Sequence, residues 1–388
     1  MKIVFLCSSL AAGRDGVGDY VRQLAASCTA AGHVCLLIAA HDRHLAVSSP
    51  LHHQGNEVRF SAGLAWSRRA GLLADLLREF DPHWVSWQLV PYGFHPKGIL
   101  PKGCFALADV ARFWPNHVML HELWLGLARS DRLRLRLVGT LQRRKLLGFL
   151  EQLKPTSLHT TNSAYQLALA RRGWPADILP LFGNIPIASV KPEIAHATLA
   201  ELAGAPLPAA PRYVGVIFGT IHPQWNPEAT MRWLQTAAQS SGRAICLLAV
   251  GRAGAHGTKL LKQLVRDSAA IRVIEVGPQP PETVSHLLHA VDFGLATHPW
   301  ALLGKSGTTV ALLEHGLPVL APRDDWHSRD GNIPSECDPL LRKMADLHPA
   351  NFVEWLALRR APAAQLPALA AHFIAQLSGP ATQGALVA

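Results

Sequence analysis

Paired cysteines are missing from this chain of 388 residues. Its six cysteines (Cys7, Cys28, Cys35, Cys104, Cys246 and Cys337) include no C-x-x-C spacing, which argues against a thiolate zinc site. A disulfide framework is not expected in a long chain without a secretory signal. Long hydrophobic runs are missing too: nothing reaches the roughly 18 apolar residues of a membrane-spanning helix. Ile3–Leu6 is too short for a signal peptide, and Arg14 and Asp15 soon follow, so the expectation is the first strand of a cytoplasmic enzyme. Charge is scarce, at 16% of residues, while 49% are hydrophobic, which indicates a globular chain with ample core, long enough for two domains. Acidic residues are the scarcer sign, and the net charge is +10. Residues 1–180 hold 21 Lys and Arg against 12 Asp and Glu, so an anionic partner is expected on the amino-terminal half. No nucleic-acid module and no aromatics interleaved with the basic residues are present, which excludes nucleic acid as the expected partner.

What is present is an alternation of strand and helix patterns. Ile3–Ser8 reads as a strand, Ala11–Gly18 (AAGRDGVG) as a glycine loop, Asp19–Ala31 as a helix and His33–Ala40 as the next strand. His41, His44, His52 and His53 fall in a polar connection expected to be a solvated loop. Gly71–Phe80 reads as a helix, Trp84–Val90 as a strand and residues 91–104 as loop. Asn116–Leu120 is a strand ending in His121-Glu122, at the strand end where α/β sheets place ligands. There His121 is expected to act as a base or to bind a hydroxyl, with Glu122 orienting it. Arg129–Lys145 holds seven basic residues and one acidic one, with Leu133, Leu137 and Leu141 on one helical face. This is either a surface for anionic lipid or a solvated basic face over an ordinary core contact. Ser157–Thr161 and Asp177–Phe182 read as strands around a helix, Ser163–Arg172, with Asn162 as its cap. Residues 183–210, rich in Ala and Pro, read as a linker.

The second half repeats the pattern: strands at Arg212–Phe218, Ala244–Val250 and Ile271–Val276, helices at Pro227–Ser240, Lys259–Asp267 and Pro281–Ala290, and a loop at Gly251–Gly257. Residues 292–321 then read strand, Gly304–Thr308 turn, helix, Gly316 stop, strand. Unpaired N–H groups at the helix start, Lys305 and the hydroxyls of Ser306, Thr308 and Thr309 suit an anion. The turn is not a P-loop, because Pro299 stands where that motif needs glycine. Phe352–Arg360 and Ala364–Leu377 read as helices, and the last residues as a loose tail.

The order of these pieces resembles the GT-B glycosyltransferases, in particular the bacterial family that includes glycogen synthases. The resemblance runs through KIVFLCSSLAAGRDGVGDYVRQLA, VMLHELW, LHTTNSAYQLALARRG, LFGNIPI, VIFGTIHPQ, LLAVGRAG and GKSGTTVALLEHGLPVLA. It implies an α/β chain of two Rossmann-like doubly wound domains facing across a cleft: an acceptor domain at 1–185, a linker at 186–210, a donor domain at 211–350 and helices at 351–388 packing back on the first domain. It implies a nucleotide-diphosphate sugar as co-substrate, no cofactor and no metal, and a sugar or lipid-linked acceptor in cell-surface polysaccharide or glycolipid synthesis. The implied enzyme is a retaining hexosyltransferase, cytoplasmic or peripheral at the inner membrane face. The implied donor site is Gly219, Thr220, Arg252, Lys305, Ser306, Gly307, Thr308 and Glu314. Gly16, Val17, Gly18 and Asp19 form the implied cleft loop, and His121 and Glu122 lie near the reacting sugar.

Departures accompany the resemblance. Thr220 and Trp225 stand where relatives carry Arg and Lys, and Leu303 and Ala311 where they carry an E-x7-E pair. These support an alternative reading, a non-catalytic scaffold. A dehydrogenase is the remaining alternative, since Gly16-x-Gly18 followed by Asp42 approaches a dinucleotide fingerprint, although Val21 replaces its third glycine.

Overall fold

The computed structural model describes residues 1–46, 48, 50–204, 211–267, 271–333 and 338–379. Cys337, the Ala/Pro run at 205–210 and the expected loose tail beyond residue 379 lie outside them. The chain divides into two compact units. The first takes residues 1–180, 328–333 and the chain from Leu366 onward; the second takes 181–327 and 334–365.

Unit 1 contains β1 (Lys2–Cys7), α1 (Gly16–Ala30), β2 (Val34–Asp42), β3 (Leu51–Gln54), β4 (Glu57–Ser61), α2 (Trp66–Phe80), β5 (Trp84–Leu89), α3 (Pro91–Phe94), α4 (Lys102–Ala111), β6 (Asn116–Leu120), α5 (Leu133–Leu153), β7 (Ser157–Thr160), α6 (Ser163–Ala170) and β8 (Asp177–Ile178). Its strands lie in the order β3-β4-β2-β1-β5-β6-β7-β8, parallel except for the β3–β4 hairpin. KIVFLC and the centre of VCLLIAAHD are buried along their length, as expected of parallel strands covered on both faces.

Unit 2 contains α7 (Pro192–Leu202), β9 (Arg212–Phe218), α8 (Pro227–Ser241), β10 (Ala244–Val250), α9 (Gly254–Asp267), β11 (Ile271–Gly277), α10 (Pro281–Ala290), β12 (Phe293–Leu295), a 3-10 turn at Trp300–Lys305, α11 (Gly307–Glu314), β13 (Val319–Ala321), β14 (Leu341–Lys343) and α12 (Phe352–Leu356). Its six strands are all parallel, in the order β11-β10-β9-β12-β13-β14. That is the doubly wound Rossmann order, which reverses between β9 and β12. The last helix, α13 (Leu366–Ser378), returns to unit 1, where Phe373 packs its ring 5.7 Å from that of Phe5.

Several sequence expectations need correction. The histidines at 41–53 do not share a loop: His41 lies within β2, and His52 and His53 lie in β3. Residues 91–104 begin with α3, and α4 starts at Lys102, because Pro91 opens a short helix as readily as it breaks one. The 183–210 stretch carries α7, whose Leu199 packs with Leu287 and Leu288 of α10 in the core of unit 2. Among the expected carboxyl-terminal helices, α12 belongs to unit 2, where the Phe352 and Phe293 rings pack 5.3 Å apart. Only α13 joins unit 1. The short β14 carried no periodic signal.

Candidate anion site and the histidine face

The reversal of strand order in unit 2 puts the carboxyl ends of β9, β12 and β13 side by side, and each strand is followed by a polar side chain. The Thr297 hydroxyl after β12 accepts a hydrogen bond from the His222 amide after β9, at 3.0 Å. The Arg323 guanidinium after β13 lies 2.6 Å from His222 Nδ1 and 3.3 Å from Gln224 Oε1, and it makes a two-point pair with Asp325 at 2.8–3.0 Å. Its side chain is 6% exposed, whereas that of Asp325 is 62% exposed. The His222 and His298 rings meet edge to face at 5.6 Å. Burial, then Arg323 and His298, push His222 down to about 4. Burial, then Lys305 and Arg323, do the same to His298. Arg323 and Lys305 thus stand as fixed cations near two neutral rings whose protonation they oppose, a field that favours an anion.

Helix α11 starts at the same place. Ser306 caps it: its Oγ accepts from the Thr309 amide at 3.3 Å and meets the hydroxyls of Thr308 and Thr309 at 3.0 Å. Ser306 is therefore occupied by the helix, which the sequence did not reveal. The amides of Gly307 and Thr308 precede the first intrahelical bond, and no described residue accepts from them. Gly219 has φ +83°, and a Cβ there would lie 2.6 Å from the Thr308 methyl. Glycine is thus what lets the end of β9 touch the start of α11. Gly251, with φ +101°, in turn lies against Gly219, where an added Cβ would be 3.1 Å from its Cα. Gly219, Gly251 and Glu275 are among the residues lining a small pocket at the ends of β9, β10 and β11. Thr220 and Arg252 follow β9 and β10 and are exposed.

Other expected donor residues lie elsewhere. Glu314 sits at the far end of α11, buried, where its carboxylate accepts from the amides of Gln365 and Gly183. Burial pushes its carboxyl upward. Two of its acceptor sites are thus committed to the chain. Trp225 is core, with its indole N–H on Thr230. Leu303 and Ala311 are core as well, which explains why these positions hold no carboxylates. His222, His298 and Arg323 were missed; the only signal was that each follows a strand end by two to four residues.

In unit 1 the glycine loop differs in chemistry from the start of α11. The Asp15 carboxylate accepts from the amides of Val17 and Gly18 at 3.0 and 2.9 Å. Asp19 accepts from Gly13 at 3.1 and 3.2 Å. These acidic caps occupy the donors an anion would need. A Cβ on Gly18 would meet the Ser9 carbonyl at 2.4 Å, so this glycine serves the packing of α1 on the β1 loop. The dinucleotide fingerprint fails here. Asp42 is fully buried and pairs with Arg59 at 2.7 Å. It also accepts from the Leu10 and His44 amides.

His121 stands at the end of β6 with its ring 4.9 Å from that of Tyr20. Its Nε2 is taken by Gln88 Oε1 at 2.9 Å, so Gln88 orients the ring, and Glu122 beside it is half-buried. Burial pushes His121 down to about 3.

On α5, the expected core contact of Leu133, Leu137 and Leu141 does not form. They are 65%, 64% and 45% exposed, while Leu146, Phe149, Leu150 and Leu153 of the following turns are buried. Gly139 lets the Leu125 carbonyl approach where a Cβ would lie 1.8 Å away.

No protein-family model and no curated protein matches this sequence. Solved structures do match it. Starch synthase IV from Arabidopsis thaliana, bound to ADP and acarbose, superposes at TM-score 0.57 with 12% identity, covering 97% of this chain and 98% of that one. HepE from Anabaena, in complex with UDP and glucose, gives 0.56 with 16% identity, covering 98% and 100%. UDP-GlcNAc 2-epimerase from Methanocaldococcus jannaschii gives 0.50 with 11% identity, covering 97% and 99%. At these identities the likeness is one of fold: two Rossmann-like domains, the GT-B class.

Proposed function

We propose that this protein transfers a sugar from a nucleotide-diphosphate sugar to an acceptor hydroxyl. The carrying observation is the two cations Arg323 and Lys305, with the neutral rings of His222 and His298, beside the open amides of Gly307 and Thr308, at the strand-order reversal of unit 2. The nucleotides held by HepE and starch synthase, proteins of the same fold, support reading its anion as a diphosphate. In the transfer, the bond from the anomeric carbon to the β-phosphate oxygen breaks as the acceptor oxygen bonds to that carbon, and the proton of the acceptor hydroxyl passes to the departing diphosphate. Negative charge grows on the departing diphosphate, where fixed donors and cations stabilise it most. Arg323 and Lys305 take the place of the Arg and Lys absent at Thr220 and Trp225. Closure that excludes water would limit donor hydrolysis. The acceptor is assigned to unit 1. His121, neutral through the working pH range, would accept a hydrogen bond from a substrate hydroxyl rather than store a proton.

A hexose donor and retention at the anomeric carbon rest on the glycogen-synthase-like order of motifs alone; the identity of the transferred sugar decides the first and the anomer of the product the second. The exposed leucines and seven basic residues of 129–145 fit an anionic bilayer surface, with leucine side chains entering it and Arg and Lys on lipid phosphates. The acceptor then suits a lipid-linked sugar at that surface. Among the described residues no helix is long and apolar enough to cross a membrane.

Calorimetry with UDP-, GDP- and ADP-sugars tests the reading. One of them is expected to bind wild-type protein and to be lost in Lys305→Ala. Absence of binding by all three would remove the proposal. Bound UDP-GlcNAc that is isomerised at C2 with no acceptor would replace it with epimerase chemistry.

A further inference from the structure

Behind His121 lies a row of polar side chains in an otherwise apolar sheet face. Ser86 and Gln88 of β5, His117 and His121 of β6 and its end, and His159 of β7 alternate at the two-residue period that places them on one face. The register sets Ser86 opposite His117 and Ser157 opposite His117 on the other side. All five are buried: Ser86 and His117 are 0% exposed and His121 only 7%. The ring of Phe373 from α13 packs on His117 at 5.2 Å. Polar groups buried like this cost stability unless each is hydrogen-bonded, and apolar residues would fill the same space without that demand.

Each is bonded, and the bonds share one direction. Gln88 Nε2 donates to Ser86 Oγ at 2.8 Å. Its carbonyl oxygen therefore faces His121 Nε2, 2.9 Å away. An amide oxygen only accepts, so His121 carries its proton on Nε2. Ser86 Oγ, which accepts from Gln88, still has its own proton to give, and it lies 2.8 Å from His117 Nδ1. With Ser86 as donor, His117 holds its proton on Nε2 and donates to His159 Nδ1 at 3.1 Å, a nitrogen that Ser157 Oγ also approaches at 3.3 Å. His159 Nε2 ends the chain without a partner among the described residues. Burial keeps all three rings well below the usual histidine range, so the chain is one of neutral imidazoles.

We propose that Gln88, Ser86, His117 and His159 are positioning residues that lock His121 in its Nε2–H tautomer, leaving Nδ1 as a fixed acceptor for a substrate hydroxyl. No described residue bonds to that nitrogen. A locked tautomer removes the state in which His121 would present N–H instead of a lone pair, a state in which a hydroxyl would be held by the wrong atom. The role of Nδ1 rests on the transferase reading, whereas the lock itself does not.

The test is nitrogen-15 NMR of histidine-labelled, ligand-free, full-length protein. Wild type is expected to show His121 with a protonated Nε2 and an unprotonated Nδ1, as a single form. Ser86→Ala removes the acceptor that holds the Gln88 amide in place, and the His121 signals are expected to move towards a mixture of tautomers. Gln88→Leu removes the acceptor from Nε2 altogether and is expected to have the same effect. In steady-state assays Ser86→Ala and Gln88→Leu are both expected to lower kcat. A wild-type His121 protonated on Nδ1, or a tautomer unmoved by Ser86→Ala, overturns the proposal. Nε2–H in wild type with no nucleotide-sugar binding leaves the lock standing and removes only the transferase reading.

Discussion

Arg323 Nη1 lies 2.6 Å from His222 Nδ1, a contact between residues 101 positions apart that ties the end of β13 to the end of β9. A guanidinium only donates, so His222 Nδ1 must present its lone pair, and this ring stays neutral while Arg323 remains in place. Asp325 fixes the other edge of the guanidinium. The result is a cation that is almost buried yet not fully neutralised, because its carboxylate partner is mostly in water.

Replacing Arg323 with Ala is expected to weaken binding of the nucleotide-diphosphate sugar by roughly 10- to 150-fold. This corresponds to about 1.5–3 kcal/mol for a lost charged hydrogen bond. Arg323→Lys keeps charge but not the fork, and should recover part of the loss. Arg78→Ala, which removes an exposed pair with Asp75, serves as the control and should change nothing. Equal affinity in Arg323→Ala and wild type would take Arg323 out of the site.

Gly219→Ala is expected to cost about 1–2 kcal/mol from its left-handed backbone alone, and more from the clash with the Thr308 methyl. Binding should fall with stability, since the displaced side chain belongs to the start of α11. Chemical denaturation and calorimetry on the same preparation separate the two effects. A variant as stable and as tight-binding as wild type would show that the two loops do not need their close contact.

Acid should destabilise the fold. His121 and His159 have folded values of about 3 and about 4 against 6.5 when unfolded. Between pH 6.5 and those values the unfolded chain takes up protons that the native one refuses. Stability therefore falls as pH drops through that window, by about 1.4 kcal/mol for each unit of depression of each group. Urea midpoints at pH 7 and pH 4.5 measure it; a midpoint unchanged between them would contradict the burial of these rings.

Leu133→Ser with Leu137→Ser should leave stability within about 0.5 kcal/mol, because both side chains are already exposed. The pair should nonetheless reduce recovery on phosphatidylglycerol vesicles. High salt should reduce it further by screening the basic residues. Equal recovery on neutral and anionic vesicles would reject the bilayer assignment.

Much of this molecule was legible before its structure. The continuous apolar strands KIVFLC, RYVGVIF and AICLLAV announce parallel sheets, and glycines at loop positions announce where backbones come close. Gly316 reads correctly as the stop of α11: it follows the cap, with φ +72°. The site was legible only in outline. Lys305, Gly307 and Thr308 stand out because a glycine turn before a helix is a local signal. Arg323 does not, since an arginine after Pro322 looks like any surface charge. Glu314 shows the converse: a carboxylate near a glycine turn looks wholly free until the amides of Gly183 and Gln365 are seen to bond to it.

The sequence by itself determined the two alternating α/β halves, because strand and helix periodicities and their glycine stops are written in neighbouring residues. Only the tertiary structure decided which side chains share a site. The strand order β11-β10-β9-β12-β13-β14 brings His222, His298 and Arg323 together from segments far apart in the chain, and the direction of the bonds from His121 to His159 depends on three strands lying in register. Local pattern fixes the conformation of a segment; proximity across a sheet is set by how the buried faces of several segments pack at once.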